Sequence, residues 1–178
     1  MVSPTYGRLT MRNVAEHIIE YLKGRKNCSN HIVIGTDSQN FNDTKVVVVI
    51  AVYTQGKGGI FFYEISHINR INNVKQKLHM ETSVSLDYAD KLISELEDIS
   101  IKNNMDYSEY CSIGIHVDAG YNGPSGIVIP EIVGWIKSMG YDVAVKPDSF
   151  VASTIAIDWV SNMWIQNQFK GNKHGNRM

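Results

Sequence analysis

The chain has 178 residues, of which 43% are hydrophobic and 20% are charged, and its formal net charge is −1. This size and composition predict a globular domain with a buried core, and the near-neutral charge removes any general electrostatic argument for binding to nucleic acid or to an anionic membrane. No apolar run reaches the roughly 18 residues of a membrane-spanning helix, and the first residues lack the apolar core of a secretory signal. The two cysteines, Cys28 and Cys111, lack CxxC spacing. We therefore expect a cytoplasmic protein with reduced thiols.

A docking helix is predicted near the N-terminus. Residues 1–9 show no periodicity and are expected to be an irregular lead-in. Within residues 10–23, branched apolar residues recur every four positions and form one stripe. Thr10 is a suitable N-cap and Gly24 a suitable stop, so the predicted helix presents one apolar face to the rest of the domain.

Three strands are predicted to follow in succession, at residues 31–37, 45–54 and 60–68. The first is a β-branched run that ends at Asp37. The second contains five consecutive valine or isoleucine residues, which is typical of a strand that is covered on both faces. Short polar or Gly-rich turns separate the three, so we expect an antiparallel meander.

A long helix is predicted over about residues 74–103, and its spacing singles out one acidic residue. A single stripe, in steps of three or four, holds Leu78, Glu81, Ser85, Tyr88, Leu92, Leu96 and Ile99. Glu81 is therefore expected on the face that packs against the sheet. A carboxylate is costly there unless it is paired or bound to a cation.

The rest of the chain alternates between strand and helix. The predicted elements are a strand at 112–117, a helix that ends near 139–140, a strand at 141–146 and a helix at about 150–167. Pro130 either kinks the first of these helices or marks its first turn. The loop 120–126 before it is either a plain connector or a backbone cradle for phosphate at a helix start. We expect residues 1–169 to form one domain, followed by a basic flexible tail at 170–178.

The order helix, β-β-β, α, β, α, β, α predicts an α/β fold with a mixed five-stranded sheet and helices on both faces. The first, fourth and fifth strands can run parallel, so Asp37, Asp118 and Asp148, which lie at their C-terminal ends, are expected at one sheet edge. Glu81 can reach that edge from the long helix. Four carboxylates in one cleft repel one another unless hard cations neutralise them, which predicts Mg²⁺ or Mn²⁺, with two ions.

The chain resembles the YkuK-type family of predicted ribonuclease H-like proteins over nearly its whole length from about residue 10. The matching motifs are Gly35-Thr-Asp-Ser-Gln39, His116-Val-Asp-Ala-Gly120, Glu131-Ile-Val-Gly-Trp135 and Lys146-Pro-Asp-Ser-Phe150, followed by Ala156-Ile-Asp158. The resemblance implies a ribonuclease H-like fold. It also implies, as an expectation, a metal-dependent nuclease that cleaves nucleic-acid phosphodiester bonds by a two-metal mechanism.

The resemblance further implies roles for individual acids. Asp37 matches the first-strand aspartate that bridges the two metals in nucleases of this fold, Glu81 is similar to the glutamate of the first crossover helix, and Asp118 matches the fourth-strand aspartate. The fourth acid is Asp148 or Asp158, which are ten residues apart, about 15 Å along a helix axis, so both cannot ligate one ion. Asp148 is preferred because it stays at the strand edge.

Other polar residues near the acids are candidates for substrate binding. Ser38 and Gln39 follow Asp37 directly, and Lys146 can meet a phosphate or neutralise the acids. His116 is either a proton shuttle or a hydrogen-bonded core histidine.

Two other functions are compatible with the sequence. A non-catalytic module of the same fold, binding nucleic acid or a protein partner, is mildly favoured by the near-neutral charge over a processive enzyme with a long footprint. The actin-like and sugar-kinase ATPases also have Gly-rich strand turns. They normally duplicate the domain, however, and 178 residues are too few for that.

Overall fold

The computed structural model describes residues 1–123 and 125–149. Its strands are β1 (Val2–Ser3), β2 (Gly7–Arg8), β3 (Asn30–Asn40), β4 (Thr44–Thr54), β5 (Gly59–Ile68), β6 (Cys111–Gly120) and β7 (Asp142–Lys146). Its helices are α1 (Met11–Lys23), α2 (Val74–Asn103) and α3 (Ile129–Ser138), with a 3₁₀ turn at Tyr107–Glu109. The predicted helix at 150–167, the domain boundary at 169 and the tail at 170–178 lie outside the described residues.

The strands form one sheet in the order β2-β1-β5-β4-β3-β6-β7. β3, β4 and β5 are the predicted antiparallel meander. β6 runs parallel to β3, and β7 runs parallel to β6. The predicted mixed sheet is therefore confirmed.

The predicted count of five strands is wrong, because the first residues form a hairpin at the sheet edge. Val2 pairs with Arg8 inside the hairpin and with Tyr63 of β5. Gly7 has a φ of 77°, a conformation that favours glycine, and it helps the chain turn back. Each added strand has only two residues, which is too short for an alternating pattern to reveal it.

The helices α1, α2 and α3 pack against one face of the sheet. Their apolar side chains join those of the strands in a single cluster, which includes Ile18, Leu22, Ile34, Ile50, Phe62, Leu92, Leu96, Ile115 and Ile132. A smaller cluster of Val33, Val47, Val49, Ala51 and Tyr63 occupies the opposite face, so β4 is buried on both faces as predicted. Within the described residues, no helix combines the length and the apolar composition needed to cross a membrane.

Two parallel neighbours, β3 and β6, carry Asp37 and Asp118. Their pairing ends at Thr36 and Val117, and the two aspartates are the next residue on each strand. Asp37 is not the last residue of its strand as predicted, because β3 stays paired with β4 as far as Asn40. Asp118, predicted just after its strand, lies inside β6, which extends to Gly120. The acids therefore lie side by side where the parallel ladder stops.

The helix α3 begins where one of the two alternatives for Pro130 predicts. It starts at Ile129, and Pro130 lies in its first turn, so the alternative in which Pro130 kinks the helix is wrong. The Gly-rich loop 120–126 ends before the helix begins. It does not supply the first amides of α3, as a phosphate cradle at a helix start requires.

Thr10 caps α1 through a reciprocal pair of hydrogen bonds. The Asn13 N–H donates to Thr10 Oγ1 at 3.2 Å, and the Thr10 N–H donates to Asn13 Oδ1 at 3.4 Å. We expect Thr10→Ala to lower the free energy of unfolding by about 1 kcal/mol, or roughly 2–4 °C in Tm for a chain of this size. Thermal unfolding followed by circular dichroism measures this. Thr10→Ser keeps the hydroxyl and is the control, and an equal loss in both variants would contradict the capping explanation.

Candidate functional site

Asp37 and Asp118 are brought together by the neighbouring strands β3 and β6. Burial raises the pKa of the Asp37 carboxyl, and the negative charge of Asp118 raises it further. The Ser38 N–H and the positive charges of Lys77 and Lys146 lower that pKa and offset the rise only in part. The two carboxylates therefore repel each other across the sheet edge.

Glu81 extends from α2 to the same edge. Ser38 donates a hydrogen bond from Oγ to Glu81 Oε1 at 2.6 Å. The pKa of Glu81 is raised to about 7, first by burial and then by the charges of Asp37 and Asp118, whereas the Ser38 hydrogen bond and the charge of Lys77 lower it. Asp37, Glu81 and Asp118 thus form a mutually repelling group, which we call the acid cluster.

Two side-chain hydrogen bonds hold α2 against β3 beside the acid cluster. One joins Ser38 to Glu81, and the other, which is buried, joins Thr36 Oγ1 and Ser85 Oγ at 2.8 Å. Because side chains alternate along a strand, Thr36 and Ser38 both point toward α2, and Asp37 between them points to the opposite face, which it shares with Val33. Ser85 lies one helical turn after Glu81. The paired contacts fix the position of Glu81 relative to β3.

Lys146 brings a positive charge to the acid cluster from β7. Its Nζ lies 2.9 Å from Asp118 Oδ1, with the Asp118 side chain 12% exposed and that of Lys146 48% exposed. Among the described residues this buried oxygen has no hydrogen bond of good geometry, so the contact is an ion pair without a well-directed hydrogen bond. A register shift between Val117 and Gly120 pairs Gly120 with Lys146. That shift brings the lysine beside Asp118.

Lys77 adds a positive charge to the acid cluster that was not predicted from the sequence. It lies on α2 four residues before Glu81, and its charge lowers the pKa of both Asp37 and Glu81. The signal that would have found it is the i, i+4 spacing, which places a lysine one turn from the glutamate. The acid cluster therefore has one lysine on its helical side and one on its sheet side.

His116 lines a small pocket together with Glu81 and Asp118. Its side chain is 8% exposed, and burial lowers its pKa to about 4. An imidazole with so low a pKa is neutral at pH 7 and accepts a proton weakly. This favours the core histidine over the proton shuttle.

Asp148 lies exposed in the turn after β7, where its N–H donates to the Val145 carbonyl at 2.8 Å. The carboxylates that raise the pKa of Glu81 are Asp37 and Asp118, and Asp148 is not among them. Its role as the fourth acid stays a prediction. The competing candidate, Asp158, lies outside the described residues. Gln39 is partly buried on β3 and stays a predicted substrate contact.

The donors of the acid cluster suit a hard divalent cation in their chemistry. Carboxylate oxygens are the ligands that Mg²⁺ and Mn²⁺ prefer, and a cation would offset the burial and the repulsion that raise the pKa of Asp37 and Glu81. As they stand, no three Asp, Glu, His or Cys side chains within residues 1–123 and 125–149 are placed to hold one ion. Asp118 already contacts a positive charge, so binding requires it to exchange Lys146 for the ion.

Comparison with known sequences finds a family and a relative. A family model described as Ribonuclease H-like matches residues 13–160, a range that includes β3, α2 and β6. The uncharacterised protein YkuK of Bacillus subtilis (strain 168) is 27% identical over 155 residues, which cover 84% of this chain and 90% of that protein.

Solved structures resemble the chain more remotely. The N-terminal RNase H domain of Rv2228c from Mycobacterium tuberculosis, fused to maltose-binding protein, is 13% identical, with 78% of this chain and 99% of that chain covered and a TM-score of 0.34. The catalytic domain of Mos1 transposase with raltegravir and Mg is 11% identical, with 94% and 73% covered and a TM-score of 0.33. The family match, and not these remote likenesses, identifies the fold.

Proposed function

Because the chain belongs to the ribonuclease H-like family, whose α/β fold it has, we propose that it is a metal-dependent nuclease that cleaves nucleic-acid phosphodiester bonds. The acid cluster carries this proposal. Burial and like charge raise the pKa of both Asp37 and Glu81 beside Asp118. Perturbed carboxylates of this kind, grouped at a sheet edge, are typical of functional sites.

Each residue of the site has a proposed role. Asp37, Glu81 and Asp118 would hold Mg²⁺ or Mn²⁺, two ions in all, with Asp148 as a helper. When bound, the ions supply activation of the attacking water and stabilisation of the leaving oxygen. One residue orients the site, and two contact the substrate. Buried Ser38 orients Glu81 through its hydrogen bond. Gln39 would face the substrate, and the Lys146 ammonium would exchange Asp118 for a phosphate oxygen.

Cleavage assays test the proposal. The purified protein is incubated with RNA, DNA, RNA–DNA hybrid and branched substrates in Mn²⁺, in Mg²⁺ and in EDTA. We expect cleavage of at least one substrate in the presence of a divalent ion and none in EDTA. If no substrate is cut with either ion, the nuclease proposal is wrong.

A second candidate function is a non-catalytic module that binds nucleic acid or a protein partner. It is favoured by the ion pair in which Lys146 already neutralises Asp118 at 2.9 Å. Thermal unfolding with Mn²⁺ distinguishes the two. An acid cluster that binds the ion gains stability by mass action, about 2.7 kcal/mol at an ion concentration 100 times Kd, whereas a binding module need not gain any.

We expect Lys146→Gln to bind Mn²⁺ more tightly than the wild type. The ammonium competes with the ion for Asp118, and an ion pair with a half-exposed partner is worth up to about 1 kcal/mol, so the gain in affinity is up to about fivefold. Isothermal titration calorimetry measures it. Lys75→Gln is the matched control, because Lys75 pairs with Glu131 at 3.1 Å in an exposed contact. An unchanged or weaker affinity in Lys146→Gln would show that the lysine does not compete with the ion.

A further inference from the structure

Exposed apolar side chains are concentrated at the sheet edge that carries the acid cluster. Among the described residues, seven large hydrophobic side chains are exposed, and four of them lie at this edge. They are Phe41 (60% exposed), Val74 (48%), Tyr121 (60%) and Ile127 (89%), and we call them the apolar rim. Single exposed apolar residues are ordinary, so the concentration of four at one sheet edge makes that edge a candidate interaction surface.

The two aromatic residues of the apolar rim follow the two aspartates of the acid cluster along the chain. Phe41 follows Asp37 by four residues, which is about 13 Å along an extended strand. Tyr121 follows Asp118 by three residues, directly after the end of β6. Because β3 and β6 are parallel neighbours, both rings lie beyond the acids at the same edge, one past each strand.

The cation Arg70 contacts the turn that carries Phe41. Arg70, which is exposed, donates from Nη1 to the Phe41 carbonyl at 2.6 Å and from Nε to Asn72 Oδ1 at 2.8 Å. The carboxylate of the same turn, Asp43, is paired with His67 at 2.8 Å. An exposed ring and a cation on the same turn match the two parts of a nucleic-acid strand, since a phosphate meets the cation and a base meets the ring.

We propose that Phe41 and Tyr121 stack on unpaired bases of a single-stranded nucleic acid whose phosphodiester lies at the acid cluster, an inference that rests on the proposed function. A duplex keeps its base faces inside the stack and presents its backbone and grooves. A single strand presents a face of every base to an aromatic side chain. The net charge of −1 also favours a short footprint held by stacking over a long one held by many phosphates.

Fluorescence anisotropy tests the proposal with two labelled probes in EDTA. One is a mixed-sequence single-stranded oligonucleotide, and the other is the same strand in a duplex. We expect Phe41→Ala and Tyr121→Ala each to weaken single-strand binding by about 5- to 150-fold, the value of one base–aromatic stack, with duplex binding unchanged. Both side chains are exposed, so their truncation leaves the fold stable, which circular dichroism verifies.

Two matched variants isolate the stacking contribution. Phe41→Leu keeps an apolar side chain but removes the ring, and we expect it to bind the single strand as weakly as Phe41→Ala. Tyr6→Ala removes a ring that is 42% exposed on the N-terminal hairpin and should bind as the wild type does. Wild-type affinity in the double variant Phe41→Ala/Tyr121→Ala, or an equal loss for single strand and duplex, would overturn the proposal.

Two further outcomes separate this proposal from the proposed function. Metal-dependent cleavage that is unchanged in Phe41→Ala and Tyr121→Ala would refute the stacking role and leave the nuclease intact. Ring-dependent single-strand binding without cleavage would refute the nuclease and leave the stacking role. If the wild type binds neither probe but forms a dimer on gel filtration that Phe41→Ala disrupts, the apolar rim belongs to a second copy of this chain and the proposal is wrong.

Discussion

We expect Asp37→Asn to lower the rate of Mn²⁺-dependent cleavage by at least about 100-fold, since even residues that only orient metal ligands are worth 10- to 100-fold. The asparagine keeps the size of the side chain and removes the charge that the ion needs. Burial and the charge of Asp118 raise the pKa of Asp37. Removing the negative charge of Asp37 therefore also relieves its repulsion with Asp118. The variant should therefore unfold at the same temperature as the wild type or at a higher one.

Asp43→Asn is the matched control for this substitution. Asp43 lies six residues after Asp37 at the same sheet edge, but its carboxylate is 45% exposed and paired with His67. Its removal should leave the cleavage rate within about twofold, because surface pairs contribute little. Equal activity of Asp37→Asn and the wild type, measured on the substrate that the wild type cuts best, would remove Asp37 from the proposed site.

We expect Glu81→Gln to make the protein more stable at pH 8 while it abolishes cleavage. The folded pKa of Glu81 is about 7, against an ordinary value of 4.5. The folded protein thus holds a proton that the unfolded chain releases, and its stability falls as pH rises through that window. The full difference corresponds to roughly 3 kcal/mol. The glutamine cannot ionise, so Glu81→Gln avoids this loss, and its amide can still accept the Ser38 hydrogen bond.

Urea unfolding at pH 5 and pH 8 measures the effect of Glu81→Gln. The two proteins should have similar free energies of unfolding at pH 5, and the variant should exceed the wild type by about 2–3 kcal/mol at pH 8. Glu97→Gln, at an exposed position of the same helix, should follow the wild-type pH profile. If Glu81→Gln is less stable than the wild type at pH 8, the ionised carboxylate of Glu81 stabilises the fold, which contradicts this account.

The elements of this fold were predictable where the chain repeats a pattern over several turns or residues. The helix α2 spans residues 74–103, as its periodicity predicts. Asn73 caps its start by accepting from the Gln76 N–H, and Asn104 ends it with a φ of 49°. The meander followed equally from its apolar runs. The hairpin at residues 1–9 did not, because two-residue strands carry no period.

The sequence predicts at which sheet edge the candidate site lies, but not which side chains are in contact there. Periodicity puts Glu81 within a buried stripe, whereas the buried residues of α2 include Thr82 and Ala89, so Glu81 lies at the border of that stripe. From that position the Glu81 carboxylate accepts the hydrogen bond from Ser38 of β3. The ion pair between Lys146 and Asp118 depends on a register shift between Val117 and Gly120, and no spacing in the sequence encodes that shift.

A crystal structure of the protein grown with Mn²⁺ tests most directly whether the acid cluster is a metal site. We expect anomalous density in contact with carboxylate oxygens of Asp37 and Asp118, with the Lys146 ammonium moved away from Asp118. The same crystals of Asp37→Asn should lack that density. Crystals in which Lys146 still contacts Asp118, with no anomalous density at the acid cluster at millimolar Mn²⁺, would contradict the metal-dependent nuclease.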